Sequence, residues 1–239
     1  DRGFLGHKAA KLMKRAKVTE ARQQAAIAEK KTLLRNVDEA DGLKLHPLAW
    51  GKSGPLVRAE GLSLSYGGRT VCAGLTFTLR PGERMAVTGP NGCGKSTLLK
   101  KLCGQDVAAC GTLALGAGLI VSYVPQDASF LHGGARDYAR NAGVDETMFL
   151  TLLRKLGFER VQFEKDMTDY SAGQKKKVLL ARSLCESAHL YLWDEPLNYI
   201  DVLSRMQIEQ LLLDYRPTML FVEHDAAFVR RAATGTLAL

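Results

Sequence analysis

The stretch Gly89-Pro90-Asn91-Gly92-Cys93-Gly94-Lys95-Ser96-Thr97 decides the fold of this chain. It has the spacing GxxxxGK[ST] of a phosphate-binding loop, follows the apolar residues 85–87 and precedes helix-forming residues. Glycines let backbone N–H groups turn inward around phosphate oxygens, and a helix N-terminus adds partial positive charge. We expect Lys95 to reach the β and γ phosphates of a nucleotide and the Ser96 hydroxyl to ligate Mg²⁺. Cys93 is interpreted as a small loop residue and not as a redox centre.

A pair of carboxylates follows a second apolar run, about 100 residues beyond the loop. Residues 190–193 predict a buried strand, and Asp194 and Glu195 come directly after it. Many strands end in acids, so the pair indicates a catalytic site only because a phosphate-binding loop precedes it in the chain. Asp194 is placed to hold the Mg²⁺ shell through water, and Glu195 is placed to act as general base on the attacking water.

Short strand-like runs alternate with helical runs from residue 57 onward. This alternation around a phosphate loop predicts an α/β domain with a largely parallel sheet. The predicted strands cover residues 57–65, 75–79, 84–88, 112–115, 119–124, 190–193 and 219–222. The predicted helices cover residues 96–103, 146–156, 172–186, 204–213 and 226–232.

The N-terminal segment carries most of the net charge of the chain. Residues 1–35 hold ten basic and three acidic residues, which is +7 of the formal +8. Residues 7–36 lack Pro and Gly and predict one helix of about 30 residues, roughly 45 Å long. Such a helix is either a solvated charged surface or a contact for a polyanion. Breaker residues in the segment 37–56 predict a linker.

The composition excludes several classes of protein. With 46% hydrophobic and 24% charged residues among 239, the chain is not a disordered protein. No apolar run reaches the roughly 18 residues of a membrane-spanning helix, and no secretory signal is apparent. Five cysteines without a CxxC pair argue against a disulfide framework or zinc site. We therefore expect a cytoplasmic protein, and the initial Asp1 indicates a fragment or processed chain.

The segment Tyr170-Ser171-Ala172-Gly173-Gln174-Lys175 opens a predicted helix and resembles the signature sequence, LSGGQ, of ATP-binding-cassette (ABC) ATPases. Ala172 departs from that pattern but keeps a small residue. Without the resemblance, Ser171 would be an ordinary helix N-cap. The resemblance implies a P-loop NTPase fold of ABC type, in which the signature residues contact ATP bound by a second cassette.

Four further residues match the family in the expected order. Tyr66 resembles the aromatic residue that stacks on adenine, and Gln126 resembles the glutamine that touches Mg²⁺ and the lytic water. Asp201 resembles the acid of the loop between the two ATP sites, and His224 resembles the histidine that contacts the γ-phosphate. Taken singly, each could be an ordinary structural residue. Together with the motifs above, they extend the resemblance over residues 57–239.

Two features resemble the ABC-F subfamily. The stretch Pro196-Leu197-Asn198-Tyr199-Ile200-Asp201 is similar to its PTNHLD-like sequence, and Trp193 with the Leu197-Asn198-Tyr199 variant looks most like its antibiotic-resistance branch. ABC-F proteins join two cassettes by a two-helix linker. By this resemblance, residues 1–45 are the second linker helix and residues 46–239 the second cassette, with a helical subdomain over about 127–187 and the first cassette upstream.

The resemblance implies a partner and an activity. ABC-F proteins hydrolyse ATP and bind the ribosome near the tRNA exit site, and the resistance members protect the large subunit from antibiotics. The basic segment fits independently, because Lys and Arg supply salt-dependent affinity for rRNA. The isolated chain could also form a homodimer.

Other functions remain open. A housekeeping ABC-F translation factor would share every motif, and the ATPase subunit of an ABC transporter would also lack membrane spans. A non-catalytic ATP-gated RNA-binding module is disfavoured by the presence of both Glu195 and His224. A DNA-repair ATPase is disfavoured because the interval from Gln126 to Ser171 leaves no space for a long coiled coil.

Overall fold

The computed structural model of the protein describes residues 43–239. Residues 1–42 lie outside the described residues, and with them the predicted helix over residues 7–36 and nearly all of the predicted linker helix, residues 1–45. The described strands are β1 (Val57–Tyr66), β2 (Arg69–Leu79), β3 (Arg84–Thr88), β4 (Ala108–Leu115), β5 (Val121–Val124), β6 (Leu190–Asp194), β7 (Met219–Val222) and β8 (Gly235–Ala238). The described α-helices are α1 (Lys95–Leu102), α2 (Ala135–Asn141), α3 (Glu146–Lys155), α4 (Ala172–Cys185), α5 (Val202–Tyr215) and α6 (Ala226–Ala232).

A five-stranded parallel sheet positions the phosphate loop. Its strand order is β5-β6-β7-β3-β8. The strand that precedes the loop, β3, therefore lies beside β7, and β7 separates it from β6. All carboxyl ends of a parallel sheet lie at one edge, which is where ligands bind in such folds. The loop, the acid pair at the end of β6 and His224 after β7 therefore share that edge.

The other three strands form a separate antiparallel sheet in the order β2-β1-β4, which the sequence analysis did not predict. Gly67 and Gly68 connect β1 to β2 with φ of +58° and +79°. A two-residue turn with two positive φ values makes a tight hairpin, and a hairpin can only join antiparallel strands. The expectation of one largely parallel sheet was therefore wrong for these strands.

The parallel sheet is buried on both faces. Along β6, Leu190 and Leu192 pack into a cluster with β1, β2 and α1, whereas Tyr191 and Trp193 pack into a cluster with the helices. Side chains alternate between the faces of a strand, so a continuous apolar run indicates burial on both sides. The indole of Trp193 is fully buried next to Asp194, and truncation of such a side chain costs about 3–5 kcal/mol.

One strand and one α-helix were missed from the sequence. Strand β8 has four residues and includes a glycine, and its pairing with β3 depends on a partner about 150 residues away. Helix α2 buries only Ala135 and Ala139, so it has little apolar periodicity to detect. None of the helices within residues 43–239 is long and apolar enough to cross a membrane.

Residues 43–56, expected to be part of a linker, pack against the body of the domain. Leu45 is 2% exposed, and the Leu48 N–H donates to the carbonyl of Ala188 at 2.8 Å. The Trp50 ring lies edge-on to His189 with centroids 5.3 Å apart. Pro and Gly break helices and strands, but they do not prevent a segment from packing, so the linker interpretation does not hold for residues 43–56.

Candidate functional site

The phosphate loop lies between β3 and α1, and two of its glycines are required by their surroundings. Gly89 has φ of +144°, and a Cβ there would lie 2.7 Å from the Leu239 carbonyl oxygen. Gly94 is the N-cap of α1 with φ of +99°, and a Cβ there would approach Val71 within 3.1 Å. Positive φ and close neighbours both exclude a side chain, so the backbone itself forms the wall of the loop.

The loop is positively polarised. Lys95 is 8% exposed, and its ammonium donates to the carbonyls of Gly89 at 2.8 Å and Pro90 at 2.9 Å. The first turn of α1 contains no acidic residue. The first N–H groups of a helix have no acceptor within the helix, and they favour an anion at that end. The loop can therefore hold phosphate oxygens.

A cavity of about 330 Å³ opens over the loop. Its lining residues are Tyr66, Val71, Asn91, Gly92, Gly94, Lys95, Ser96, Thr97, Gln126 and Glu195. Tyr66 is 66% exposed, and the Lys100 ammonium lies 5.9 Å from its ring centroid. An exposed aromatic ring beside a phosphate loop can stack on a nucleotide base.

Asp194 lies at the end of β6 and is fully buried. Neither of its carboxylate oxygens has a partner in hydrogen-bonding geometry among the described residues, although the Ser96 side chain approaches it. Burial raises the pKa of Asp194, and Ser96 opposes that rise. A buried carboxylate without a partner is costly unless a cation compensates it. Carboxylate and hydroxyl oxygens suit Mg²⁺, so Asp194 and Ser96 fit such an ion, with the exposed Gln126 at the rim.

Glu195 is held at the edge of the cavity by two side chains. Its backbone has φ of +48°, a left-handed conformation that few residues other than glycine adopt. The Asn198 amide donates to Oε2 at 2.5 Å, and Nε2 of His224 lies 3.1 Å from Oε1. The Glu195 side chain is 14% exposed and that of His224 is 52% exposed. The carboxylate is thus fixed but still accessible to a water molecule.

Two further side chains, Glu223 and Arg205, hold the loop that carries Glu195 through hydrogen bonds to its backbone. Glu223 is 8% exposed and accepts from the N–H groups of Leu197 at 3.3 Å and His224 at 3.4 Å. Burial raises the pKa of Glu223, and these two hydrogen bonds oppose the rise. Arg205 donates to the carbonyls of Leu197 at 2.8 Å and Ile200 at 3.0 Å. Neither Glu223 nor Arg205 was identified from the sequence.

The signature-like segment starts α4 and does not line the phosphate cavity. Ser171 is the N-cap, and its hydroxyl accepts from the Gln174 N–H at 3.3 Å while the Gln174 side chain accepts from the Ser171 N–H at 2.9 Å. This capping box occupies the Gln174 side chain. Ala172 is exposed and lines a second cavity of about 340 Å³. At Gly173, a Cβ would lie 2.5 Å from the Tyr199 carbonyl oxygen, so the backbones approach closely there.

Asp201 lies in an ion pair and lines neither of these two cavities. It is the N-cap of α5, accepts from the Ser204 N–H at 2.9 Å, and pairs with the Lys177 ammonium at 2.7 Å. Partial burial acts to raise the pKa of Asp201, but the hydrogen bonds from Lys177 and Ser204 outweigh it and bring the pKa to about 2.

The structure brings together most of the residues selected from the sequence. Tyr66, six residues of the loop 89–97, Gln126 and Glu195 line one cavity. Asp194 is buried directly before Glu195 in the chain, and His224 contacts Glu195. Gln126 also lines the second cavity, next to Ala172 and Tyr199. The segment Ser171–Gln174 and Asp201 lie outside the first cavity. Asn198 was quoted in a motif but received no role, because nothing in its spacing indicated a contact with Glu195.

A phosphate loop at the carboxyl edge of a parallel sheet, with an acid pair on a nearby strand, defines a P-loop nucleotide-binding domain. A family model described as ABC transporter matches residues 72–198, which is more than half of the chain. The chain therefore belongs to the ABC transporter family, as an ATP-binding domain, and the predicted α/β fold of ABC type is confirmed. Domains of this family generally bind ATP together with Mg²⁺.

The similar proteins include more than one kind of ABC protein. The ATP-binding protein Uup of Caulobacter vibrioides is 33% identical over 79% of this chain and 33% of its own length. The zinc import ATP-binding protein ZnuC of Ruegeria pomeroyi is 35% identical over 77% of this chain and 75% of its own length. The ribosome protection protein VmlR of Bacillus subtilis is 29% identical over 77% of this chain and 34% of its own length.

The chain thus spans about a third of the length of Uup and VmlR and three quarters of ZnuC. A solved structure of the ATP-binding subunit of an ABC transporter superposes with a TM-score of 0.62 at 24% identity. The superposition covers 77% of this chain and 85% of that one, and it supports the fold alone.

Proposed function

We propose that this chain is an ATP-hydrolysing cassette of an ABC-F protein that binds the ribosome and protects it from antibiotics directed at the large subunit. The observation that carries the catalytic part is the Glu195 carboxylate, held between Asn198 and His224 at the edge of the phosphate cavity. The ribosomal part is supported by similarity to VmlR and by the charge of residues 1–35.

In the proposed reaction, loop N–H groups and Lys95 bind the phosphates of ATP. Ser96, Asp194 and Gln126 would hold Mg²⁺, which when bound neutralises charge on the β and γ phosphates. Glu195 accepts a proton from the attacking water. The water oxygen bonds to the γ-phosphorus as the bond to the β–γ bridging oxygen breaks, so ADP and phosphate are released. His224 contacts Oε1 of Glu195 through Nε2, which leaves Nδ1 as the ring nitrogen that would donate to the γ-phosphate.

The proposed catalytic site is completed by a second cassette. Ser171 and Gly173 lie at the start of α4, outside the phosphate cavity of their own chain. We infer that they cap the γ-phosphate of ATP bound by another cassette, either the first cassette of the same polypeptide or a second copy of this chain. Specific turnover should then rise with protein concentration. Turnover that is high and independent of dilution would contradict this arrangement.

Ribosome binding is proposed from chemistry as well as similarity. The +7 charge of the first 35 residues suits the dense negative charge of large-subunit rRNA near the tRNA exit site. The motif 196–201 and Trp193 resemble the resistance branch of ABC-F proteins. A housekeeping ABC-F translation factor is the nearest alternative, and drug-susceptibility assays with and without the protein distinguish the two.

Co-sedimentation with ribosomes tests the proposal. The Glu195→Gln variant with ATP should pellet with ribosomes, whereas the same variant without nucleotide should stay largely in the supernatant. Higher salt should weaken the association, because Lys and Arg contacts to phosphates release counterions. If the ATP-loaded variant stays in the supernatant at low salt, the ribosomal proposal fails.

A transporter ATPase subunit is the second candidate. It is favoured by ZnuC, which is 35% identical and three quarters covered by this chain. This candidate expects ATPase activity that depends on a membrane permease and no association with ribosomes. The same co-sedimentation assay therefore separates the two candidates.

A further inference from the structure

One lysine of α4 is buried beneath the candidate site. Lys176 is 3% exposed, although the two lysines beside it in the sequence are only half-buried. Burying an ammonium group costs several kcal/mol unless its donors find acceptors. Within a run of three lysines the sequence indicates a solvated helix surface, so the burial of Lys176 is unexpected.

The Lys176 ammonium donates two hydrogen bonds to backbone carbonyls, one just after the end of β5 and the other at the end of β6. It donates to the carbonyl of Pro125 at 2.8 Å and to that of Asp194 at 3.1 Å. Pro125 directly precedes Gln126, and Asp194 directly precedes Glu195. One side chain therefore holds the two peptide units from which Gln126 and Glu195 project.

The surroundings of Lys176 explain why a cation is tolerated there. Burial lowers the pKa of Lys176, while the carboxylates of Asp194, Glu195 and Glu223 oppose this effect. An ammonium has three donors and no acceptor, which suits a position between carbonyl oxygens. A methionine would fill similar space but could not donate, so the two peptide units would lose their common anchor.

We propose that Lys176 is a positioning residue that sets Gln126 and Glu195 for hydrolysis from its place on α4. The inference rests on the ATP hydrolysis proposed above. Lys176 lies on the helix that Ser171 caps, so it fixes both residues relative to the signature-like segment. Lys176 does not line the phosphate cavity, so its removal should change turnover more than nucleotide affinity.

The test compares Lys176→Met and Lys176→Gln with a control, Lys101→Met. Lys101 also donates from a helix to a backbone carbonyl, that of Val107 at 2.8 Å, but it lines neither cavity described above. Steady-state turnover, ATP affinity by titration and thermal unfolding are measured for each. A misplacement of about 1 Å can lower a rate about 100-fold, so we expect Lys176→Met to lower kcat about 10- to 100-fold.

The accompanying measurements separate positioning from a role in folding. ATP affinity should stay within about twofold. Lys176→Met leaves two carbonyl oxygens without their donor and should lower the unfolding temperature, whereas Lys176→Gln keeps a donor and should hold it. Lys176→Gln keeps an N–H donor and should have an intermediate kcat, whereas Lys101→Met should match wild type. This pattern supports the proposal.

Other outcomes overturn the inference in distinguishable ways. If the wild type hydrolyses ATP and both Lys176 variants keep its kcat, the positioning role is wrong while the proposed function stands. If kcat and unfolding temperature fall together in both variants, Lys176 is a folding residue and the inference fails. If the wild type shows no turnover at any protein concentration, the proposed function and this inference fail together.

Discussion

Glu195 is the residue on which the proposed chemistry depends. Its left-handed backbone and its two side-chain partners hold the carboxylate at one place on the cavity wall. Strained conformations of this kind cost about 1–3 kcal/mol and persist where the surrounding structure enforces them. Here Glu223 accepts from the N–H of Leu197 and Arg205 donates to its carbonyl, and these hydrogen bonds help to hold the strained loop in place.

Glu195→Gln should abolish most turnover and leave ATP binding intact. The amide keeps the shape of the side chain but cannot accept the proton, and removal of a general base costs about 10²- to 10⁴-fold in rate. Turnover and ATP titration measure the two effects. The exposed Glu164→Gln is the control and should behave as wild type. A Glu195→Gln variant with wild-type turnover would exclude Glu195 as the base.

Asn198→Ala should lower kcat about tenfold with little change in ATP affinity. The substitution removes the donor to Oε2 of Glu195, so the carboxylate loses one of its two constraints. Asn198→Asp should be worse, because it places a second carboxylate beside the first. Asn141→Ala, at the end of α2, is the control. Wild-type kcat in both Asn198 variants would show that His224 alone orients Glu195.

The sequence alone identified the residues whose role can be inferred from their spacing along the chain. The loop 89–97 and Asp194–Glu195 could be located because a strand, a turn and a helix start suffice to place them. Asn198, Lys176 and Arg205 could not, because their roles arise from burial and from partners on other elements. Ser171 was interpreted both as an ordinary N-cap and as part of a signature sequence, and its geometry is compatible with both interpretations.

The start of α4 and the loop before α5 are in close contact near the site. The Gly173 backbone lies against the Tyr199 carbonyl, and Lys177 pairs with Asp201. Gln126 lines both the phosphate cavity and the second cavity, which Ala172 and Tyr199 also line. The signature-like segment and the loop that carries Glu195 are therefore in direct contact within one chain, so a displacement of one element must disturb the other.

Gly173→Ala should destabilise the domain. A Cβ would lie 2.5 Å from the Tyr199 carbonyl oxygen, a backbone atom that cannot move without shifting the loop, and such overpacking costs about 1–3 kcal/mol. Chemical unfolding measures the loss. Gly51→Ala is the matched control, because a Cβ at Gly51 meets nothing within 4 Å. Equal stability of the two variants would contradict the close approach.

Asp201→Asn should reduce stability at neutral pH but not in acid. The pKa of Asp201 falls from an ordinary 3.8 to about 2, so its contribution is present above pH 3.8 and is lost as the pH falls through 2. Asp201 is half exposed and screened, so the loss at about pH 7 should not exceed about 1 kcal/mol. The free energy of unfolding of wild type and Asp201→Asn, measured across this pH range, checks this expectation. Asp106→Asn is the control, because Asp106 is exposed. A difference from wild type that persists below pH 2 would refute the ion-pair explanation.

Element prediction succeeded where a run was continuously apolar and failed where only pairing with another strand defined the element. The core strands β3, β6 and β7 follow from continuous apolar residues, and the helix α3 from the spacing of its buried apolar residues. The antiparallel sheet was missed because the Gly67–Gly68 turn was not interpreted as a hairpin. Strand β8 could not be found, since four residues gain their structure only from β3.

The whole molecule combines one ATP-binding cassette with a basic segment that belongs to the undescribed residues 1–42. This chain spans about a third of the length of Uup and VmlR and three quarters of that of ZnuC. On the proposed account, ATP binding at the phosphate loop precedes every later event, from cassette closure to ribosome binding. Nucleotide binding is therefore the point at which the whole account can fail.

An ATP titration of wild type and Lys95→Ala, with Lys165→Ala as an exposed control, tests that point most directly. Wild type and Lys165→Ala should bind ATP alike in the presence of Mg²⁺. Lys95→Ala should bind at least about tenfold more weakly, a loss of about 1.4 kcal/mol, because the ammonium within the loop is removed. Equal affinity of wild type and Lys95→Ala, or no binding by wild type, would contradict the account.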